Sequence, residues 1–461
     1  MLIRFNVKNV LSFSARDNGE SEEFSMIAGK VRNKKDHVYD DGKLKLLKFA
    51  AVYGANAAGK SNIVKAMDIM RSIVLTGQLE GYTEKYCKVD PDNKDKPSYF
   101  EIQIKLDEKY YSYGFEIILS QSKFISEWLV ELHDDNSEKE LFSRDVLTGE
   151  YSFGNDLSKK ELKEKLDVYA EDISTDTSTL FLYVMNQNKK KIYTTFESAR
   201  VLLKVYRWFL IKFDISYPNQ PISNYSYLSA AKKPDEVCKL ISAFGTGITG
   251  FKMVDVPIER VLGKVGNAVQ KKIMTEIEQS QISIRNSEEI KSATLAMRTR
   301  NDFFILTVDQ GEQIKCQTIE FSHNNKDAIF NLNEESDGTV RILDLLEILL
   351  AGEGKTYVLD ELDRCLHPSL SYKFVESFFE VARDKKIQLI VTTHESRLMD
   401  FDLLRRDEIW FVNKRKSGES DIYSLEEYNT RFDQKIDKAY LEGRYGGVPI
   451  FSTIFPIAEV Q

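Results

Sequence analysis

The period of apolar and polar positions changes several times along the chain, and each change marks a predicted element. Residues 2–13 alternate around Leu2, Ile3, Phe5, Val7, Val10 and Phe13, which predicts a strand. Residues 48–53 form a short apolar run that predicts a buried strand and breaks at Gly54. From Lys60 the period turns helical, with Ile63, Val64, Met67, Met70, Ile73 and Val74 on one face. Residues 99–106 and 110–119 predict a hairpin turning at Asp107-Glu108-Lys109, with another strand near 128–132.

The middle of the chain reads differently. Residues 133–166 look like charged loop, Val201 to Phe213 like a helix, and Glu259 to Ser280 like an amphipathic helix through Val261, Leu262, Val265, Val269, Ile273 and Ile277. Heptads do not persist there, which argues against a long coiled coil. Strand signals return at 303–308 and 314–321. A helix over 339–350 follows, then a strand over 355–360, a helix over 369–383, and strands over 387–392 and 408–412. That alternation predicts an α/β fold with a parallel sheet and helices packed on it. The expected organisation is an N-terminal head portion over 1–150, a mostly helical insertion over 151–300, and a second head portion over 301–461. No internal repeat or low-complexity segment interrupts it.

Composition narrows the class. At 461 residues the chain exceeds what one core usually serves. Hydrophobic content of 42% and charged content of 30% are globular values. A net charge of −8 gives no global attraction to nucleic acid, although a local basic groove is compatible with it. Cys87, Cys238, Cys316 and Cys365 are isolated in sequence, as in a reducing compartment rather than a disulfide scaffold or zinc site. Met1 to Phe5 has no signal-peptide layout, and no run approaches the roughly 18 apolar residues of a membrane span. The expectation is a soluble, cytoplasmic protein.

Candidate chemistry sits at the ends of the predicted strands. Gly54-Ala55-Asn56-Ala57-Ala58-Gly59-Lys60-Ser61 is a full Walker A match between a strand and a helix. Its backbone N–H groups would surround phosphates at a helix N-terminus, Lys60 would reach the β/γ-phosphates, and Ser61 would ligate Mg²⁺. The cofactors expected are ATP and Mg²⁺, with Asn62 following in the same loop–helix junction. Thr356 to Leu359 leads into Asp360 and Glu361, a Walker B arrangement in which Asp360 faces the metal and Glu361 polarises the attacking water. Alone, such a carboxylate pair is as often a solvated strand end. The helix after Leu366-His367-Pro368, and His394 ending the next strand to sense the γ-phosphate, argue for the Walker B reading. Ser336-Asp337-Gly338-Thr339 opens a helix, so Ser336 and the amides of Gly338 and Thr339 read either as an ordinary cap or as an anion site.

Asn9-Val10-Leu11-Ser12-Phe13, Gly54 to Asn62, Ser336 to Arg341, Leu359-Asp360-Glu361, Leu366-His367-Pro368 and Thr392-Thr393-His394 together resemble the ABC-type ATPases of the SMC, RecF and OLD group. Within it the chain is similar to stand-alone bacterial ATPases of abortive-infection and phage-defence systems. The tail Tyr440-Leu441-Glu442-Gly443-Arg444-Tyr445-Gly446-Gly447-Val448-Pro449 carries that likeness. The resemblance implies an ABC-type P-loop ATPase head. Ser336, Gly338 and Thr339 would act as a degenerate signature completing a partner head's ATP site, giving ATP-dependent head dimers within a homo-oligomer. His367 stands where transporters carry an aspartate, which weakens a transporter reading. Gln103 and Gln121 are weak candidates for a glutamine loop.

The segment after His394 lacks clustered acidic residues at metal-site spacing, so any nuclease or toxin activity is expected on a separate effector protein. The leading expectation is an ATP-dependent sensor and scaffold that answers a phage-encoded trigger and has no membrane contact. The alternative is a DNA-binding SMC/RecF-like ATPase of repair or recombination. Lys189-Lys190-Lys191 and Lys232-Lys233 are its candidate phosphate contacts, though charge runs are usually solvated faces.

Overall fold

The computed structural model describes residues 1–133, 137–218, 234–285, 292–299, 302–309, 314–325, 327–350, 352–428 and 436–447. Two compact units divide the chain. The first comprises Met1–Ile215, Gly352–Leu362 and Phe379–Gln461, the second Ser216–Ala351 and Asp363–Phe378.

The first unit contains the α/β architecture expected from the sequence. Its six-stranded sheet runs in the order Phe213–Ser216, Thr356–Leu359, Gln388–Thr392, Phe49–Tyr53, Ile409–Lys414, Ser420–Ser424. Phe49–Tyr53 pairs in parallel with both Gln388–Thr392 and Ile409–Lys414, and Ser420–Ser424 closes the edge antiparallel. Phe49–Tyr53, Thr356–Leu359 and Gln388–Thr392 are buried along their whole length. Strands covered on both faces read as unbroken apolar runs, which is why these were visible in the sequence.

The same unit also holds a seven-stranded antiparallel sheet, ordered Glu150–Phe153, Glu138–Asp145, Lys123–Leu132, Lys109–Ile118, Ser98–Leu106, Leu2–Lys8, Glu22–Ser25. The hairpin expected around Asp107 is present, with Asp107 itself at φ 52°. The charged loop expected over 133–166 is not. That stretch supplies the strands Glu138–Asp145 and Glu150–Phe153 and the start of the helix Lys160–Asp172. An antiparallel strand with one face in water tolerates many charged residues, so composition masked it. The helix expected from Val201 to Phe213 ends early: Arg200–Arg207 is α-helical, Trp208–Lys212 forms a π-turn, and Phe213 starts a strand.

In the second unit Gly250–Asp255, Ile314–Ser322, Phe303–Asp309 and Ser292–Arg298 form an antiparallel sheet, with Ile329–Asn331 pairing to Ile314–Ser322. Val261, Ile273, Ile277, Phe304, Leu306 and Val308 share one core. The amphipathic stretch 259–280 is two helices, Ile258–Leu262 and Asn267–Arg285, separated by a segment containing Gly263 and Gly266. The region 151–300, read as mostly helical, therefore also carries strands at Phe213–Ser216, Gly250–Asp255 and Ser292–Arg298. The last two are half-exposed, so few large apolar residues betray them. Lys232-Lys233 and Val448-Pro449 lie outside the described residues. Among the described residues no helix is long and apolar enough to cross a membrane.

Candidate nucleotide site

Strand Phe49–Tyr53 delivers the chain to the loop 54–59, and helix Lys60–Thr76 leaves it. Two residues of the turn adopt left-handed backbone, Ala57 at φ 64° and Gly59 at φ 114°. A Cβ on Gly54 would collide with Val412 O, and one on Gly59 with the hydroxyls of Ser420 and Ser12. Glycine is needed at both points for space, and at Gly59 also for conformation. Ala58 is buried, whereas Asn56 and Ala57 are exposed at the loop tip.

The loop is held from behind by polar contacts. The Ser420 hydroxyl lies 2.6 Å from Ala58 O and 2.8 Å from Ser12 Oγ. Asn62 Nδ2 donates to Ser12 Oγ at 2.8 Å. Lys60 is buried, and its Nζ donates to Gly54 O at 2.7 Å and Ala55 O at 3.2 Å. Ser12 thus gives the Asn9–Phe13 segment a physical role that the sequence pattern did not disclose.

The acidic strand end meets this loop. Ser61 Oγ donates to Asp360 Oδ1 at 3.0 Å, joining residues 299 positions apart. Thr392 Oγ1 donates to the same carboxylate oxygen at 2.6 Å and accepts from Glu361 N at 2.9 Å. Asp360 is buried, while Glu361, at φ 52°, is half-exposed. Two hydroxyls on one buried carboxylate form an all-oxygen set suited to a hard cation such as Mg²⁺. His394 lies two residues beyond Gln388–Thr392 and is exposed. Thr392 was missed as a site residue. The sequence placed it in the Thr392-Thr393-His394 motif, at the end of the run Leu389-Ile390-Val391, but gave it no role of its own.

Ser336, Gly338 and Thr339 belong to the second unit. Ser336 Oγ accepts from Thr339 N at 3.1 Å, as the cap of helix Asp337–Leu350. Ser336 is exposed, and a Cβ on Gly338 would come within 3.0 Å of Cys365 O. Glu335 just before it is paired with His323 Nε2 at 2.9 Å. His367 Nδ1 accepts from Ser369 N at 3.3 Å, near the start of helix Pro368–Ala382. Gln103 bonds Glu101 and Gln121 bonds Asp95. Lys189 Nζ sits over the Tyr169 ring at 4.5 Å.

A protein-family model described as "AAA domain, putative AbiEii toxin, Type IV TA system" matches residues 49–400. Among curated proteins there is no match. Similar solved structures include an SMC head bound to the C-terminal winged-helix domain of ScpA, with TM-score 0.41 and 14% identity, over 92% of this chain and 97% of that one. The SMC head domain from Thermotoga maritima has TM-score 0.35 and 14% identity, over 92% and 98%. An SMC head with extended coiled coil, bound to the C-terminal domain of ScpA derived from Pyrococcus furiosus, has TM-score 0.38 and 14% identity, over 96% and 99%.

Proposed function

The chain belongs to the AAA_21 family of AAA domains, and from that premise we propose that it binds and hydrolyses ATP as an ABC-type ATPase. Its role would be that of sensor and scaffold in bacterial antiphage defence, controlling a separately encoded nuclease or toxin. The observation that carries the ATPase reading is the contact between Ser61 and Asp360, which unites the phosphate loop with the acidic strand end.

Each group then has a task. The loop amides from Ala55 to Ser61 and the dipole of helix Lys60–Thr76 favour the phosphates. Lys60, released from the carbonyls of Gly54 and Ala55, would take the β/γ-phosphates. Ser61 and Asp360 would hold Mg²⁺, which neutralises phosphate charge when bound. Glu361 would orient the attacking water, its backbone fixed by Thr392. His394 would face the γ-phosphate. Ser336, Gly338 and Thr339 would complete a partner's site and thereby make head dimers depend on ATP.

The defence role has its own support. The family description names a toxin of a type IV system, and the tail from Tyr440 to Pro449 resembles that of the AriA ATPase of the PARIS system. The test combines Mg²⁺-dependent ATP turnover with phage challenge of cells carrying the chain and its neighbouring gene. Turnover lost in Lys60→Ala, together with protection that needs both genes, supports the reading. Unaltered turnover in Lys60→Ala removes the ATPase assignment. ATP turnover stimulated by DNA in a salt-dependent way, without protection, would favour a repair ATPase instead.

A further inference from the structure

Two serines 408 positions apart meet beneath the loop 54–59. Ser12 lies at the tip of a tight turn closed by Val10 N–H to Phe13 O at 3.0 Å and Phe13 N–H to Val10 O at 2.9 Å. Asn9 and Leu11 give this turn its left-handed backbone, at φ 56° and 55°. The Asn9 side chain pins it: Nδ2 donates to Asn93 O at 2.8 Å and Lys96 O at 3.0 Å, and Oδ1 accepts from Cys87 N at 3.0 Å. Ser420 is buried and opens strand Ser420–Ser424, and its amide donates to Ser12 O at 2.8 Å.

The hydroxyl bonds can run in one direction only. Ser420 Oγ carries a single proton, and its 2.6 Å contact with Ala58 O uses it, because a carbonyl only accepts. The proton in the 2.8 Å contact between the two hydroxyls therefore comes from Ser12. Ser12 Oγ in turn accepts from Asn62 Nδ2 at 2.8 Å. The chain runs from Asn62 through Ser12 and Ser420 to Ala58 O, and joins the first turn of helix Lys60–Thr76 to the loop before it.

That chain decides where an amide points. The Ala58–Gly59 peptide is trans, so its carbonyl and its N–H face opposite sides. Holding Ala58 O against Ser420 turns the Gly59 N–H away from both serines. Among the described residues this amide has no hydrogen-bond partner. The two hydroxyls also fill the space that a Cβ on Gly59 would take, so the peptide is packed as well as bonded.

We propose that Ser12 and Ser420 are positioning residues that aim the Gly59 amide at the phosphates of ATP. The proposal rests on the ATPase reading above. A free N–H just ahead of a helix favours an anion, and fixing its direction before binding removes an ordering cost from the complex. Neither hydroxyl touches a reacting atom, so the effect falls on ATP affinity.

Ser420→Ala releases Ala58 O, and Ser12→Ala cuts the same chain one link earlier. With the full chain, calorimetry should give a Kd for ATP about tenfold weaker in either variant, on the scale of one lost buried hydrogen bond. The double variant should also lose about tenfold rather than a hundredfold, because both changes break one chain. Ser424→Ala is the control. It removes a serine of the same strand whose hydroxyl accepts from Glu426 N at 3.1 Å, away from the loop. Its Kd should stay at the wild-type value even if it melts as low as the others. Three results overturn the proposal and leave the ATPase reading standing: wild-type affinity in either single variant, losses that multiply in the double variant, or an equal loss in Ser424→Ala. A wild-type chain that binds no ATP overturns both. Should Ser420→Ala fail to fold, Ser12→Ala decides at the half-buried end of the chain: a weaker Kd than that of Ser424→Ala supports the proposal, and an equal one refutes it.

Discussion

Thr392 Oγ1 stands 2.6 Å from Asp360 Oδ1 and at the same time receives the amide of Glu361. One hydroxyl on the neighbouring strand thus fixes both carboxylates of the acidic pair, the first through its side chain and the second through its backbone. The left-handed φ of 52° at Glu361 is a conformation a non-glycine residue keeps only when its surroundings enforce it.

Thr392→Val should expose that dependence. It conserves shape but orphans a buried carboxylate contact and the Glu361 amide, at a cost of about 1–3 kcal/mol. We expect a lower melting temperature and turnover reduced roughly tenfold, with Thr392→Ser restoring most of both. Wild-type turnover in the valine variant would mean that Glu361 needs no such support.

Glu361→Gln retains size and removes the charge that would orient water. ATP affinity should stay near wild type while turnover falls by about a hundredfold or more. Single-turnover hydrolysis measures the two separately. An unchanged rate would assign the catalytic carboxylate elsewhere.

Ser336→Arg should leave ATP binding in each head intact and abolish hydrolysis, if Ser336 completes a partner's site. Mixing it equally with Lys60→Ala should restore part of the activity, because each variant supplies the half that the other lacks. Loss of the cap alone would cost about 1 kcal/mol and act through stability only, so both proteins are checked by thermal melting first. Failure of the mixture to recover any turnover, with both variants folded, would reduce the motif to a helix cap.

The buried pair His37 and Glu408, 2.9 Å apart, predicts a pH dependence. Burial pushes Glu408 well above its ordinary value and pushes His37 down to about 3. A raised carboxyl binds a proton in the folded state that the unfolded chain releases, so its contribution is complete below about pH 4.5 and declines as pH rises. A lowered histidine works oppositely: its contribution is complete above about pH 6.5 and is lost as pH falls toward 3. Between those limits the two trends offset, and above pH 6.5 only the carboxyl slope remains, at most about 1.4 kcal/mol per pH unit. Glu408→Gln imitates the protonated acid and removes that slope. Urea unfolding from pH 6 to 8 should therefore show the variant gaining on wild type as pH rises. Parallel curves would show that Glu408 is ionised in the folded protein.

The glycine loop between strand and helix, the acidic strand end and the α/β alternation were legible in the sequence for one reason. Each is encoded within a short stretch whose spacing is its own evidence, and buried parallel strands must be continuously apolar. Gly54 to Ser61 needs only a strand before it and a helix after it. Glu138–Asp145, by contrast, hides among charges because one face of an antiparallel sheet can meet water. Pairwise relationships across the chain were decided by tertiary structure alone. Ser12 and Ser420 meet behind the glycine loop, and Thr392 bridges the two carboxylates, in each case between segments far apart in the sequence. A serine, threonine or tyrosine carries no periodic signal of its own. Its partner becomes definite only when folding removes water and leaves a buried donor that must be satisfied.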